Sequence, residues 1–234
     1  MKDDPQRNEQ SQAIKYSMIV ISQRVLGLIG FLLAAGTFES MRGWIYFGSY
    51  FFVSVVTIMY MMMRHKTTLS ERGKKRENTP TWDRWVLAIY VPLAFYGIHI
   101  AAGLDFRFNG ELAVNNVMYI GLALYFLSSV FGIWPILENK HFESTARIQN
   151  DRNQSVVMTG PYRFIRHPGY FSIIVWAIAV PMIFGSLLTA LISMIIIVVI
   201  VIRTSLEDKM LCNELADYLV YCKKVKYRLI PYIW

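Results

Sequence analysis

The segment from Val156 to Tyr170, VVMTGPYRFIRHPGY, gathers residue types suited to holding a polar ligand at a surface. Gly160-Pro161 reads as a turn, because proline fixes its own φ and keeps the residue before it out of the α region. Pro168 directly precedes a long apolar run, and proline suits the first turn of a helix. A helix that starts there leaves free N–H groups and a partial positive charge, which favour a carboxylate or phosphate. Arg166 and His167 add charge and donors at the same place. The same residues also suit a basic, aromatic belt at a membrane interface, so composition alone leaves both readings open.

A second cluster follows the apolar run: Arg203, Glu207, Asp208 and Leu211. On a helix Arg203 and Glu207, four residues apart, share a face, and Glu214 returns to it. At a soluble surface such a pair is worth less than about 1 kcal/mol. Ionisable groups emerging directly from an apolar span are more expensive to place and more often functional. His99 and Arg24 lie inside apolar spans, where a hydrogen-bonded structural role, or snorkelling for Arg24, is the expected reading. His65 and His141 read as solvated loop residues, and Met59 to Met63 as helix packing rather than a metal site. Cys212 and Cys222 are the only two cysteines; they read as free thiols, with no zinc set or disulfide framework.

The elements that carry these groups are membrane helices. The 234 residues are 55% hydrophobic and only 17% charged, whereas soluble domains carry about 25% charged residues. Apolar spans are predicted at 16–36, 44–63, 84–103 and 114–137, each near the length that crosses a bilayer. A further tract from Phe171 to Ile202 would measure about 48 Å as one helix, well beyond about 30 Å of hydrocarbon. Pro181 and Gly185-Ser186 near its middle predict a helical hairpin, giving five or six spans. The fold class expected is therefore all-α, a multi-span transmembrane bundle ending in a hairpin and a cytoplasmic helical segment. Two regions are expected: residues 1–137 as transmembrane helices, and 138–234 as the catalytic part, with hairpin 169–202 and tail 203–234. Lys2, Arg7 and Lys15 before the first span resemble the start of a signal peptide, but Arg24 interrupts the run and a second span follows closely. A retained first helix is the expectation.

The formal net charge of +8 does not point to nucleic acid, because the basic residues sit in loops beside apolar spans. Three basic regions alternate with nearly neutral loops at Glu39 and Asp105: Arg64 to Arg84 (including Lys66, Lys75 and Arg76), Glu138 to Tyr170, and the tail after Ile202. This pattern places both termini and the polar segments in the cytoplasm, beside anionic lipid.

Taken in order, Gly-Pro-Tyr, Arg-His-Pro-x-Tyr, a hairpin and Arg-x-x-x-Glu-acidic-x-x-Leu resemble the isoprenylcysteine carboxyl methyltransferase family, which is related to phospholipid methyltransferases. Arg147-Ile148-Gln149 upstream and Tyr218, Tyr221, Val225 and Tyr227 to Pro231 downstream extend the likeness over about residues 140–232. The resemblance implies S-adenosylmethionine as cofactor, contacted by Gln149, Val156, Val157, Tyr162, His167, Pro168, Gly169, Tyr170 and Glu207. It implies Arg203 on the acceptor side, with Arg203 and Glu207 as catalytic residues and no metal. The chain departs from the family's pattern at Asp208, where a second Glu is common, and at Gln154, often His.

The implied reaction is transfer of a methyl group to a membrane lipid or lipid-modified acceptor. A carboxylate acceptor needs no base and would be oriented by Arg203 through paired hydrogen bonds; an amine acceptor would use Glu207 as base. Carboxyl methylation leads, with phospholipid N-methylation as the alternative. A membrane NADPH-dependent sterol-type reductase and an inactive scaffold rank lower.

Overall fold

The computed structural model describes residues 5–74 and 78–234. Lys2, Lys75 and Arg76, counted above in the charge pattern, lie outside the described residues. Among those residues the chain is helical, without strands. Its elements are α1 (Pro5–Ala35), α2 (Met41–Arg64), a short α3 (Lys66–Gly73) and α4 (Thr81–Pro92). A π-helical turn at Leu93–Gly97 runs into α5 (Ile98–Asn109); α6 (Asn116–Glu138), α7 (Pro168–Phe184), α8 (Leu187–Glu214) and α9 (Tyr218–Lys224) follow. Among the described residues five helices are long and apolar enough to cross a membrane: α1, α2, the joined α4–α5, α6 and α8. α7 is a shorter apolar helix of 17 residues, about 25 Å long.

The bundle is polar at both ends but differently organised at each. At one end the short turns meet around Arg42, which is 1% exposed. Its guanidinium donates to the carbonyls of Leu112, Ala113 and Ile183. Glu111 reaches across to accept from the Met41 and Arg42 N–H groups and the Ser40 hydroxyl, capping the N-terminus of α2, where the helix dipole favours a carboxylate. The opposite end carries the long 139–167 segment and the tail.

Between the ends, Phe31, Tyr46, Phe47, Ile98, Ala177, Ile183 and Ile196 form one buried cluster. His99 sits inside it: its Nδ1 bonds the Phe95 carbonyl (2.9 Å) and its Nε2 the Tyr46 hydroxyl (3.1 Å). Because the carbonyl only accepts, Nδ1 carries the proton and Tyr46 donates to Nε2. Arg24 does not reach for water. It donates to Ser54 Oγ at 3.0 Å and lies 4.5 Å above the Tyr50 ring, so an aromatic face and a hydroxyl hold the charge. Of the methionine run, Met61 is buried and Met59 and Met63 are exposed.

The hairpin turns at Gly185-Ser186, while Pro181 stays within α7. Gly185 has φ +64°, and its N–H donates to the Pro181 carbonyl. Ser186 then caps α8, accepting from Thr189 N–H at 3.1 Å. A Cβ at Gly185 would lie 2.7 Å from Leu112 Cδ1 and 3.0 Å from Arg42 Nη1. Gly185→Ala therefore combines a left-handed strain with a clash at the Arg42 node. It should lower stability by about 1–3 kcal/mol, read as a lower thermal midpoint in detergent; an unchanged midpoint would contradict the reading.

Two sequence expectations change. Three helices overrun their predicted spans: α1 begins at Pro5 rather than 16, α2 runs 41–64 rather than 44–63, and 84–103 lies within a helix from Thr81 to Asn109. The tail does not begin as a separate helix at Arg203, because α8 continues unbroken to Glu214. With i→i−4 bonds intact and no proline or glycine between Leu187 and Glu214, nothing stops the helix where the apolar run ends.

Candidate active site

A cavity of about 460 Å³ opens where the 139–167 segment meets α1, α3, α4, α7 and α8. All ten residues singled out by sequence line it: Gln149, Val156, Val157, Tyr162, His167, Pro168, Gly169, Tyr170, Arg203 and Glu207. Ile19, Leu87, Val91, Phe95 and Ile173 form an apolar part of the wall. They belong to helices α1, α4 and α7 and the π turn, so the chamber extends among the apolar helices.

The Gly160–Arg163 stretch forms a 3-10 turn, with Gly160 at φ +55°. It buries Tyr162, whose carbonyl accepts from the Tyr221 hydroxyl at 2.6 Å. Two backbone bonds then fix the Arg-His-Pro stretch: Arg166 N–H to the Tyr227 carbonyl and His167 N–H to the Arg228 carbonyl, both 2.9 Å. Pro168 opens α7. Arg166, expected to add charge at that helix start, is instead committed inward. It donates from Nε and Nη2 to Asp208 (2.8 and 2.9 Å) and from Nη1 to the Val225 and Lys226 carbonyls. Burial opposes its charge, yet the Asp208 carboxylate holds its pKa above the usual arginine value.

Asp208, 2% exposed, is the hub of this end. It also accepts from His167 Nε2 (3.0 Å), the Tyr218 hydroxyl (3.0 Å) and Arg228 Nε (2.8 Å). Since a carboxylate only accepts, His167 carries a proton on Nε2. The His167 ring stacks on Tyr170 at 5.7 Å.

Arg203 and Glu207 share a face of α8, as their spacing predicts, but do not simply pair with each other. The Arg203 guanidinium engages Asp83 on α4 through Nε (2.8 Å) and Nη2 (3.3 Å), and Nη2 also donates to the Ser144 carbonyl. Its paired edge is thus taken, so the expected two-point grip on an acceptor carboxylate is not open. Nη1 has no hydrogen-bond partner among the described residues. The guanidinium lies 5.3 Å from the Tyr170 ring centre, and the Tyr170 hydroxyl donates to Glu207 Oε2.

Gln149, 2% exposed, is braced on three sides. Its Nε2 donates to the His141 carbonyl, its Oε1 accepts from Arg152, and its N–H donates to Gln154 Oε1. The Gln154 that departs from the family pattern therefore holds Gln149 in place. Beside it, Arg147 grips Glu143 and Asp151, two charges that raise its pKa. His141 is not solvated: it is 4% exposed, covered by the loop as it folds over Gln149. His65 is half-buried beside the Tyr60 ring. Cys212 and Cys222 have sulfurs 3.7 Å apart as free thiols, and burial pushes the Cys222 thiol up to about 11.

Sequence reasoning passed over Asp83 and Arg72, read His141 as solvated, and named Asp208 in its cluster without its partners. Asp83 gave one signal, an acidic residue at the head of an apolar span between Trp82 and Trp85.

Bundle and chamber together define a multi-span helical membrane protein whose cavity joins an apolar helix wall to a polar cap. Residues 121–213 match the Isoprenylcysteine carboxyl methyltransferase (ICMT) family. The match bears out the family resemblance, contains all ten cavity residues named above, and supports a membrane methyltransferase; Tyr218 to Pro231, read as part of the likeness, lie beyond it. No curated protein matches the chain.

Proposed function

We propose that this chain is an S-adenosylmethionine-dependent methyltransferase acting on a lipid or lipid-modified acceptor, with carboxyl O-methylation the reaction its geometry supports best. The observation that carries this reading is one cavity shared by an apolar helix wall, Arg203 with an unpartnered Nη1, and Glu207 held by Tyr170. The chamber suits the cofactor. Its volume is in the ordinary ligand-site range, and Glu207 on its wall supplies an acidic group for a sulfonium cation. Buried polar atoms without partners, both His141 nitrogens and Thr145 Oγ1, belong to residues on its wall.

Bound there, S-adenosylmethionine would supply an electrophilic methyl group on sulfur. Gln149, the Val156-Val157 backbone and Tyr162 would hold it from the loop side, and His167 from the entry to α7. Glu207 places negative charge where a sulfonium would be stabilised. Arg203 Nη1 would donate one hydrogen bond to the acceptor carboxylate, and Asp83 keeps the guanidinium from turning away. In the transfer a C–S bond breaks and a C–O bond forms, leaving the thioether product and a neutral ester. Alignment and exclusion of water are the main contributions. The apolar wall would take the lipid chain from the bilayer, and both termini and the polar cap would face the cytoplasm.

Radiolabelled methyl transfer to membrane extracts tests the reading. A base-labile product supports a carboxyl acceptor, an alkali-stable product points to nitrogen, and no transfer together with no cofactor binding sinks it. Glu207→Gln sharpens the outcome. With a carboxylate acceptor, turnover should fall about 10–100-fold with the pH profile unchanged. With an amine acceptor, Glu207 would take the ammonium proton, and the variant would also lose the rising limb of the profile.

A further inference from the structure

The cavity has a wall that the proposed chemistry leaves unused. Arg72 on α3 and His141 and Thr145 on the 139–167 segment all line it. Arg72 Nη1, His141 Nδ1 and Nε2, and Thr145 Oγ1 are enclosed and have no hydrogen-bond partner among the described residues. Enclosed donors left unmade are costly, the more so when charged, and here they gather at one chamber.

Arg72 is fixed in place rather than free. Its Nε donates to the Tyr16 hydroxyl at 2.9 Å, and its guanidinium carbon lies 5.3 Å from the centres of both the Tyr16 and Phe142 rings. Phe142 directly precedes Glu143 and follows His141, so α3 and the loop meet at this guanidinium. The nearby carboxylates serve other cations. Glu143 holds Arg147 with both oxygens, and Glu71 holds Lys74 and lies 4.0 Å from Arg152.

We propose that Arg72, His141 and Thr145 form an oxyanion subsite of the cavity, taking a carboxylate or a phosphate. A fixed guanidinium with an unpartnered Nη1 suits such a group. The Thr145 hydroxyl adds a donor. Burial lowers the His141 pKa, so the ring enters as a neutral imidazole with one N–H to give. Two sources carry the required charge: the amino-acid carboxylate of the cofactor, which rests on the methyltransferase reading, or an anionic lipid headgroup, which does not.

The test uses the whole chain in detergent micelles. S-adenosylhomocysteine and 5′-methylthioadenosine, which lacks the amino-acid portion, are titrated in one arm; phosphatidic acid and phosphatidylcholine are compared in the other. If the cofactor supplies the anion, Arg72→Gln weakens S-adenosylhomocysteine about tenfold or more and leaves 5′-methylthioadenosine unchanged, while Arg72→Lys recovers part of the loss. If the lipid supplies it, the same loss falls on phosphatidic acid alone. Should Arg72→Gln fail to fold, the near-isosteric Thr145→Val carries the test, with about a threefold loss in the same arm. Equal binding by wild type and variants in both arms overturns the subsite. If wild-type protein binds no S-adenosylhomocysteine, the methyltransferase reading fails, and the lipid arm alone decides the subsite.

Discussion

Asp208→Ala is expected to destabilise the protein by about 3–5 kcal/mol, the usual penalty for stripping the partner from a buried charge. The loss should be that large because Asp208 is 2% exposed and accepts from Arg166, His167, Tyr218 and Arg228. Without it Arg166 keeps only the Val225 and Lys226 carbonyls, and the His167 Nε2–H loses its acceptor. Those donors come from the α7 entry, α9 and the 227–228 stretch, so the damage extends beyond one side chain. Asp208→Asn should cost less than alanine, because its carbonyl still accepts, but its amide donors would face arginines. Denaturant titration in detergent gives the free energies, and a wild-type midpoint for Asp208→Ala would refute the hub.

The second large effect concerns Asp83 and Arg203, which are 0% and 5% exposed. Either single truncation should abolish methyl transfer, and Asp83→Ala should also cost stability on the scale of a broken buried pair, about 3–5 kcal/mol. Asp83 further accepts from the Ala146 N–H at 2.9 Å, so its loss frees the loop that carries Gln149. The double variant Asp83→Leu/Arg203→Met separates packing from chemistry. Apolar replacement of a buried pair is often neutral or stabilising, so stability should recover most of the single-variant loss while methyl transfer stays at background. Recovery of turnover in the double variant would show that Arg203 only braces α4 against α8.

The spans were legible because hydrocarbon tolerates little charge over about 20 residues, and Gly185-Ser186 announced the hairpin by local turn chemistry. The Gly-Pro-Tyr and Arg-His-Pro motifs were legible because turns and helix starts are local. What stayed hidden was pairing at a distance. Asp83 and Arg203 are 120 residues apart, and Arg166 and Asp208 are 42 apart; no periodicity links them. Arg166 looked available because its absorbing carboxylate arrives on another helix. His141 looked solvated because the fold-back that buries it depends on Gln149 reaching its carbonyl.

The unbroken run of α8 has a mechanical consequence. Arg203 stands about 24 Å along the axis from Leu187, and Glu207 about 30 Å, with no joint between them. The far end is pinned by Gly185-Ser186 and the Arg42 node, so the helix acts as a ruler from one leaflet to the other. Hydrophobic mismatch would then be met by tilting the rod rather than by bending it. On the proposed reading, bilayer thickness would set how deep the Glu207 carboxylate lies beneath the headgroups, and with it the height at which a lipid acceptor would have to present its reactive group.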